Sequence, residues 1–257
     1  EAKIGEVKYR TIEEAFAAAV EGETITLVDD VTPELTSQRA ITKAAVIDLN
    51  GKTMTLTEDD LYWGTTTFKN GNIVVDPSVV ASTAVFWMFE NQTLTLDSVK
   101  LTATGVTGTY LIGINGGTGS AVKLINGSEI VIGNETQADL SAVIADNGTG
   151  NSVEIEGSTI NVKNIKGRFY LGGTNGDVVV DNTTATLNGV KEGFYLRAGQ
   201  SLAINGTSNV SVTLNDTNGR YGINLTDITA NYTKAETATV DATLFEKCDA
   251  KIGSDKY

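Results

Sequence analysis

The chain has 257 residues, 40% of them hydrophobic, with 27 glycines, two prolines and a formal net charge of −13 at pH 7. That length buries a large core as one elongated unit or two compact ones, and the apolar content is that of a folded chain. So acidic a surface repels a phosphate backbone or an anionic lipid face, which argues against nucleic-acid and membrane-surface roles.

In chain order, the first signal is a repeat. Ala2-Lys3-Ile4-Gly5 and Lys8-Tyr9 return as Ala250-Lys251-Ile252-Gly253 and Lys256-Tyr257, six identities in an eight-residue frame. Recurrence at a fixed period marks repeat architectures. Residues 1–248 are accordingly expected to form one bead of a tandem array, with 249–257 the start of the next copy. Cys248, the sole thiol, falls at that junction, where it has no internal disulfide partner.

A helix follows. Thr11 and Glu14 have capping-box spacing, and Ile12, Ala15, Phe16, Ala19 and Val20 fall on one apolar stripe. The pattern predicts a capping helix over 11–21, stopped by Gly22. Thr24-Ile25-Thr26-Leu27-Val28 then alternates as a strand.

From about residue 40 a unit recurs: an alternating strand, a polar turn with Gly, Ser or Asn, and a second alternating strand. Its instances begin at Ile47, Phe68, Leu94, Val122, Val153, Val178 and Leu202, between 21 and 31 residues apart. Between them lies a third apolar strand, often aromatic, as in Val85-Phe86-Trp87-Met88-Phe89, Phe169-Tyr170-Leu171 and Phe194-Tyr195-Leu196. Three short strands per coil, with length variation confined to polar loops, indicate stacked coils that share one core. The fold expected is all-β: a single-stranded right-handed parallel β-helix (β-solenoid) with an N-terminal amphipathic capping helix and coils over about 24–245. Nine or ten coils make a rod of about 45 Å. A β-sandwich is the competing arrangement, since it too has short, regularly spaced strands. The helix is assigned as a lid over the first coil, whose strand edges and apolar interior are otherwise open.

Tyr9-Arg10-Thr11-Ile12-Glu13-Glu14-Ala15, Glu21-Gly22-Glu23-Thr24-Ile25-Thr26-Leu27 and Asp30-Val31-Thr32 resemble the capping segment of pectate-lyase-like right-handed β-helix domains in bacterial surface proteins. Ile47-Asp48-Leu49-Asn50-Gly51-Lys52-Thr53 resembles the coil that follows it. The resemblance covers about the first 55 residues. It implies a secreted or wall-attached bacterial protein, either an adhesin-like stalk or a carbohydrate-active enzyme. The Gly-His-Gly segment of the polygalacturonase-type members has no counterpart, because the chain contains no histidine. The Arg segments of that group and of the pectate lyases are also unmatched, so no catalytic residue carries over.

The candidate binding residues are Tyr170 and Tyr195, with Arg168 and Arg197 at their margins. If Phe169 and Phe194 point inward, the two tyrosines lie outward on neighbouring coils and stack sugar rings. For hydrolysis, Asp146, Asp177 and Asp181 are the alternative carboxylates, on or beside adjacent coils, although Asp in such turns usually bonds its own backbone. Tyr62, Trp63 and Trp87 are assigned to core or loop cover. No cofactor is expected, and calcium only as an isolated surface ion. Ten Asn-x-Ser/Thr triplets read as turn vocabulary.

The function expected is a non-catalytic stalk or adhesin module in contact with a glycan or other cell-surface ligand and with adjacent copies of itself. It would be extracellular, without membrane insertion. A polysaccharide lyase or hydrolase and a purely structural spacer are the alternatives.

Overall fold

The computed structural model describes residues 1–35 and 45–247; Cys248 and the expected start of a next copy at 249–257 lie outside them. The chain is a right-handed parallel β-solenoid of about 8 turns, 58% strand and 3% helix. The rod is therefore shorter than expected, on the order of 40 Å. The first 23 residues belong to the cap, and the coils are longer than a minimal turn.

From Ala45 on, each described coil contributes a stretch of strand to each of three faces. One coil runs Ser152–Glu156, Thr159–Lys163 and Arg168–Leu171, and the next runs Asp177–Asp181, Thr184–Val190 and Glu192–Leu196. The first two faces form one 17-stranded sheet because the long strands Thr66–Val75 and Thr93–Ala103 bend across both. The third face is a separate eight-stranded sheet from Leu61–Tyr62 to Leu244–Glu246.

Register explains why the alternating strands stack without slipping. Ile25, Ile47, Phe68, Leu96, Leu124, Ile155, Val180 and Ile204 pair consecutively across the first face. All are at most 1% exposed. A slip of one residue would turn this whole column to solvent.

The corner between the first and second faces takes at least one left-handed residue per coil. Asn50, Asn70, Ser98, Asn126, Gly157, Asn182 and Gly206 supply it, with φ between 47° and 59°. Asn, Ser and Gly tolerate that region best because a short polar side chain, or none, avoids the steric cost. Just after it, the hydroxyls of Ser128, Ser158, Thr183 and Ser208 are buried and donate to the carbonyls of Leu96, Leu124, Ile155 and Val180. Ser128, Thr183 and Ser208 also accept from amides of the coil before. Asn126-Gly127-Ser128 is thus a turn whose serine is satisfied inside the protein.

The cap holds, with its boundary moved. The helix runs Ile12–Ala18; Thr11 Oγ1 accepts from the Glu14 amide and Glu14 accepts from the Arg10 amide. It ends at Ala19, which is already extended, so Val20 leaves the stripe and is 58% exposed. Gly22, with φ of 82°, turns the chain into the first coil rather than ending the helix. Ile12, Ala15 and Ala19 are buried, and Phe16 meets Trp63 edge-on. Beside the helix, Ala2–Ile4 and Val7–Tyr9 form an antiparallel hairpin that adds to strand Thr24–Leu27.

Candidate functional site

On the third face strict alternation fails, and this decides which side chains reach solvent. Arg168 pairs with Glu192, but the next paired residues are Tyr170 with Phe194 and Leu171 with Tyr195. Two consecutive residues, Phe169 and Tyr170, are each 1% exposed, while Arg168 and Leu171 are half-buried. The same doublet of buried residues occurs at Val85-Phe86, Leu111-Ile112 and Val143-Ile144.

Tyr170 is therefore not an outward ring. It packs in the core, with its hydroxyl accepting a 2.8 Å hydrogen bond from Gln200 Nε2. Burial pushes its pKa well above the ordinary tyrosine value, Asp146 and Asp177 push it further, and the Gln200 bond opposes them. Phe169 and Phe194 do point into the core, where they pack edge-to-face at 5.5 Å. The expected pair of stacked tyrosines does not form because the inward turn takes two residues instead of one.

The other three binding candidates do meet. The Arg168 guanidinium lies 4.6 Å from the centroid of the half-buried Tyr195 ring, and that of Arg197 lies 5.9 Å from it. Both distances are within the range in which a ring face attracts a cation. Arg168 is held from the other side: its Nε donates to Glu192 at 2.5 Å, and Glu192 is fully buried. Asn224, one coil on, donates to the second carboxylate oxygen at 2.6 Å. The Asn224 Oδ1 atom is buried with no partner.

More cations surround this centre. Burial and the nearby charges of Arg168 and Arg220 lower the Lys191 pKa, with Glu192 opposing. Lys166 pairs with Asp139 at 3.0 Å, and a small cleft of about 120 Å³ opens between Asp139, Lys166, Arg168 and Lys191. Three of the chain's five arginines thus gather on one face of a protein whose net charge is −13.

Of the alternative carboxylates, Asp177 and Asp181 do not converge. Asp146 is 1% exposed; one oxygen accepts from the Gly148 amide and Asn151 Nδ2, both at 2.8 Å, and the other is buried and unpartnered. Asp177 is exposed and accepts from Ser201 Oγ at 2.6 Å. Asp181 stands at the opposite end of the same strand, about 13 Å away at strand rise. That is wider than the ~5–9.5 Å at which two carboxyls flank a scissile glycosidic bond. Asp146 is instead a turn residue that bonds the backbone two residues on. Among the described residues no three His, Cys, Asp or Glu side chains are grouped to hold a metal ion.

The aromatic group assigned to core or loop cover divides in the structure. Trp63 is core, as assigned, but Tyr62, Trp87 and Phe89 cluster on the third face, with centroids 4.9–5.7 Å apart. Phe89 is 38% exposed, and the Trp87 indole N–H has no partner. The available signal was register: Tyr62 pairs with Trp87, the position in its coil that Tyr195 occupies further along.

Compared with models of protein families, with curated proteins and with solved structures, the chain gives no significant match.

Proposed function

We propose that the chain is a non-catalytic module of a repetitive bacterial surface protein, a stalk or adhesin unit that contacts carbohydrate through its third face. The observation that carries the reading is the placing of Arg168 and Arg197 against the half-buried Tyr195 ring, with Lys191 close enough to Arg168 to feel its charge, on an otherwise acidic molecule. An aromatic ring beside fixed guanidinium donors suits the apolar face and the polar rim of a sugar. The recurrence of Ala2–Tyr9 at 250–257 supports display in a tandem array.

The test is a glycan array, with acidic and neutral plant and host glycans, followed by incubation of each bound glycan with the protein. Retention without new reducing or unsaturated ends supports the proposal. New ends point to a lyase or hydrolase, and no retention leaves a structural spacer.

A further inference from the structure

We propose that the C-terminal end of the solenoid docks the N-terminal end of a second copy of this chain, head to tail, through the last strand of the third face. The inference rests on the tandem-array reading above.

The two ends of the rod are unequal. The first coil is covered by helix Ile12–Ala18 and the hairpin beside it. At the other end the last coil blunts its first face itself. Tyr232 packs against the core, and Lys234 follows Ile204 at the end of the aliphatic column. Its amine donates to the carbonyls of Ala235 and Ala238, so charge and hydrogen bonds blunt that edge.

The third face is not closed in this way. Strand Leu244–Glu246 is exposed along its length, with Leu244 at 45% and Phe245 at 37%. Phe245 stacks on the exposed Tyr221 at 4.8 Å. Beside it, Leu225, Ile228, Tyr232 and Lys247 line a cleft of about 180 Å³. Eight large hydrophobic residues are exposed among the described residues. Tyr221, Ile228, Leu244 and Phe245 lie at this end, and Val7 and Val20 at the other. Such clustering at the two termini of a rod marks an interaction surface.

Chain geometry selects the occupant. The repeated hairpin sequence begins at Ala250, four residues beyond Glu246. Four residues span at most about 14 Å, so a copy whose sequence starts there is tethered within reach of the open edge. That copy presents strand Val7–Tyr9, whose pairing among the described residues is to Ala2–Ile4 alone. Two strand edges and two apolar patches are thereby brought together. The charges oppose the contact: residues 1–35 carry nine acidic and three basic side chains, and residues 227–247 carry four and two. Added salt therefore tightens it.

Sedimentation velocity on this chain tests the contact, up to the millimolar range that a short linker imposes. The expected result in about 0.5 M salt is a weight-average mass at least twice 27.1 kDa, falling as salt is removed. Leu244→Lys alone and Val7→Lys alone should each return to the monomer with unchanged circular dichroism. Mixed, they should form a dimer and nothing larger, because each keeps one sound end and a head-to-tail contact is heterologous. A monomer at every concentration and salt overturns the contact, as does association that survives Leu244→Lys. The length of the natural chain tests the tandem reading separately: a parent with one copy removes that reading, whatever sedimentation shows.

Discussion

Glu192 holds Arg168 at 2.5 Å with one carboxylate oxygen while the other is occupied by Asn224, so a fully buried charge positions the guanidinium beside Tyr195. Removing one partner of a buried pair leaves the other uncompensated. Glu192→Gln is expected to cost about 3 kcal/mol in urea unfolding. Adding Arg168→Met should recover most of that loss, since replacing both partners with packed neutral groups is far less costly. A single-variant loss below about 1 kcal/mol would contradict the coupling.

Tyr170 gives the chain an alkaline limit. Burial first, then Asp146, raises its folded pKa above the ordinary value, and Tyr62 and Tyr232 shift the same way, mainly by burial. A raised folded pKa means stability that is complete below the unfolded pKa of ~10 and lost as pH rises past it. The expected slope above that pH is about 1.4 kcal/mol per pH unit for the buried Tyr170 alone. Unfolding followed at 295 nm between pH 8 and 12 should show the Tyr170 phenolate appearing only with unfolding. Tyr170→Phe should flatten part of the slope, while losing about 1 kcal/mol with the Gln200 bond. A midpoint that stays level to pH 12 would contradict the assignment.

The serine in the corner turn is structural. Ser128 donates to the Leu96 carbonyl at 2.9 Å and accepts from the Val99 amide at 3.1 Å, with no exposure. Ser128→Ala strands both backbone groups and should cost about 2 kcal/mol. Ser128→Thr should lose less, because Thr183 fills the equivalent position two coils on. Thermal unfolding of the pair distinguishes this from a surface role, in which neither change is felt.

Much of the fold was legible because the solenoid repeats its physics. The column from Ile25 to Ile204 and the left-handed corner from Asn50 to Gly206 each appear in the sequence as a residue type at a coil-length period. Thr11 and Glu14 located the cap, but the helix stops at Ala18 because Ala19 turns extended, which spacing alone does not encode. The site was half legible. Arg168, Tyr195 and Arg197 came together, whereas Tyr170 was assigned outward by a strict two-residue alternation that the third face breaks. The signal for that break was present in the paired apolar residues Val85-Phe86, Leu111-Ile112 and Val143-Ile144 of earlier coils. Glu192 and Asn224 were missed because a buried carboxylate and amide, 32 residues apart, meet only once coils stack.

Titration calorimetry with a glycan retained on the array, run against Tyr195→Ala, Arg197→Ala and Tyr170→Phe, tests the functional proposal most directly. Tyr195→Ala and Arg197→Ala should each weaken binding by about tenfold, roughly 1.4 kcal/mol for a lost ring or charged contact. Tyr170→Phe, a change inside the core, should bind as the parent does. Equal affinity across all four proteins would contradict a glycan site on the third face.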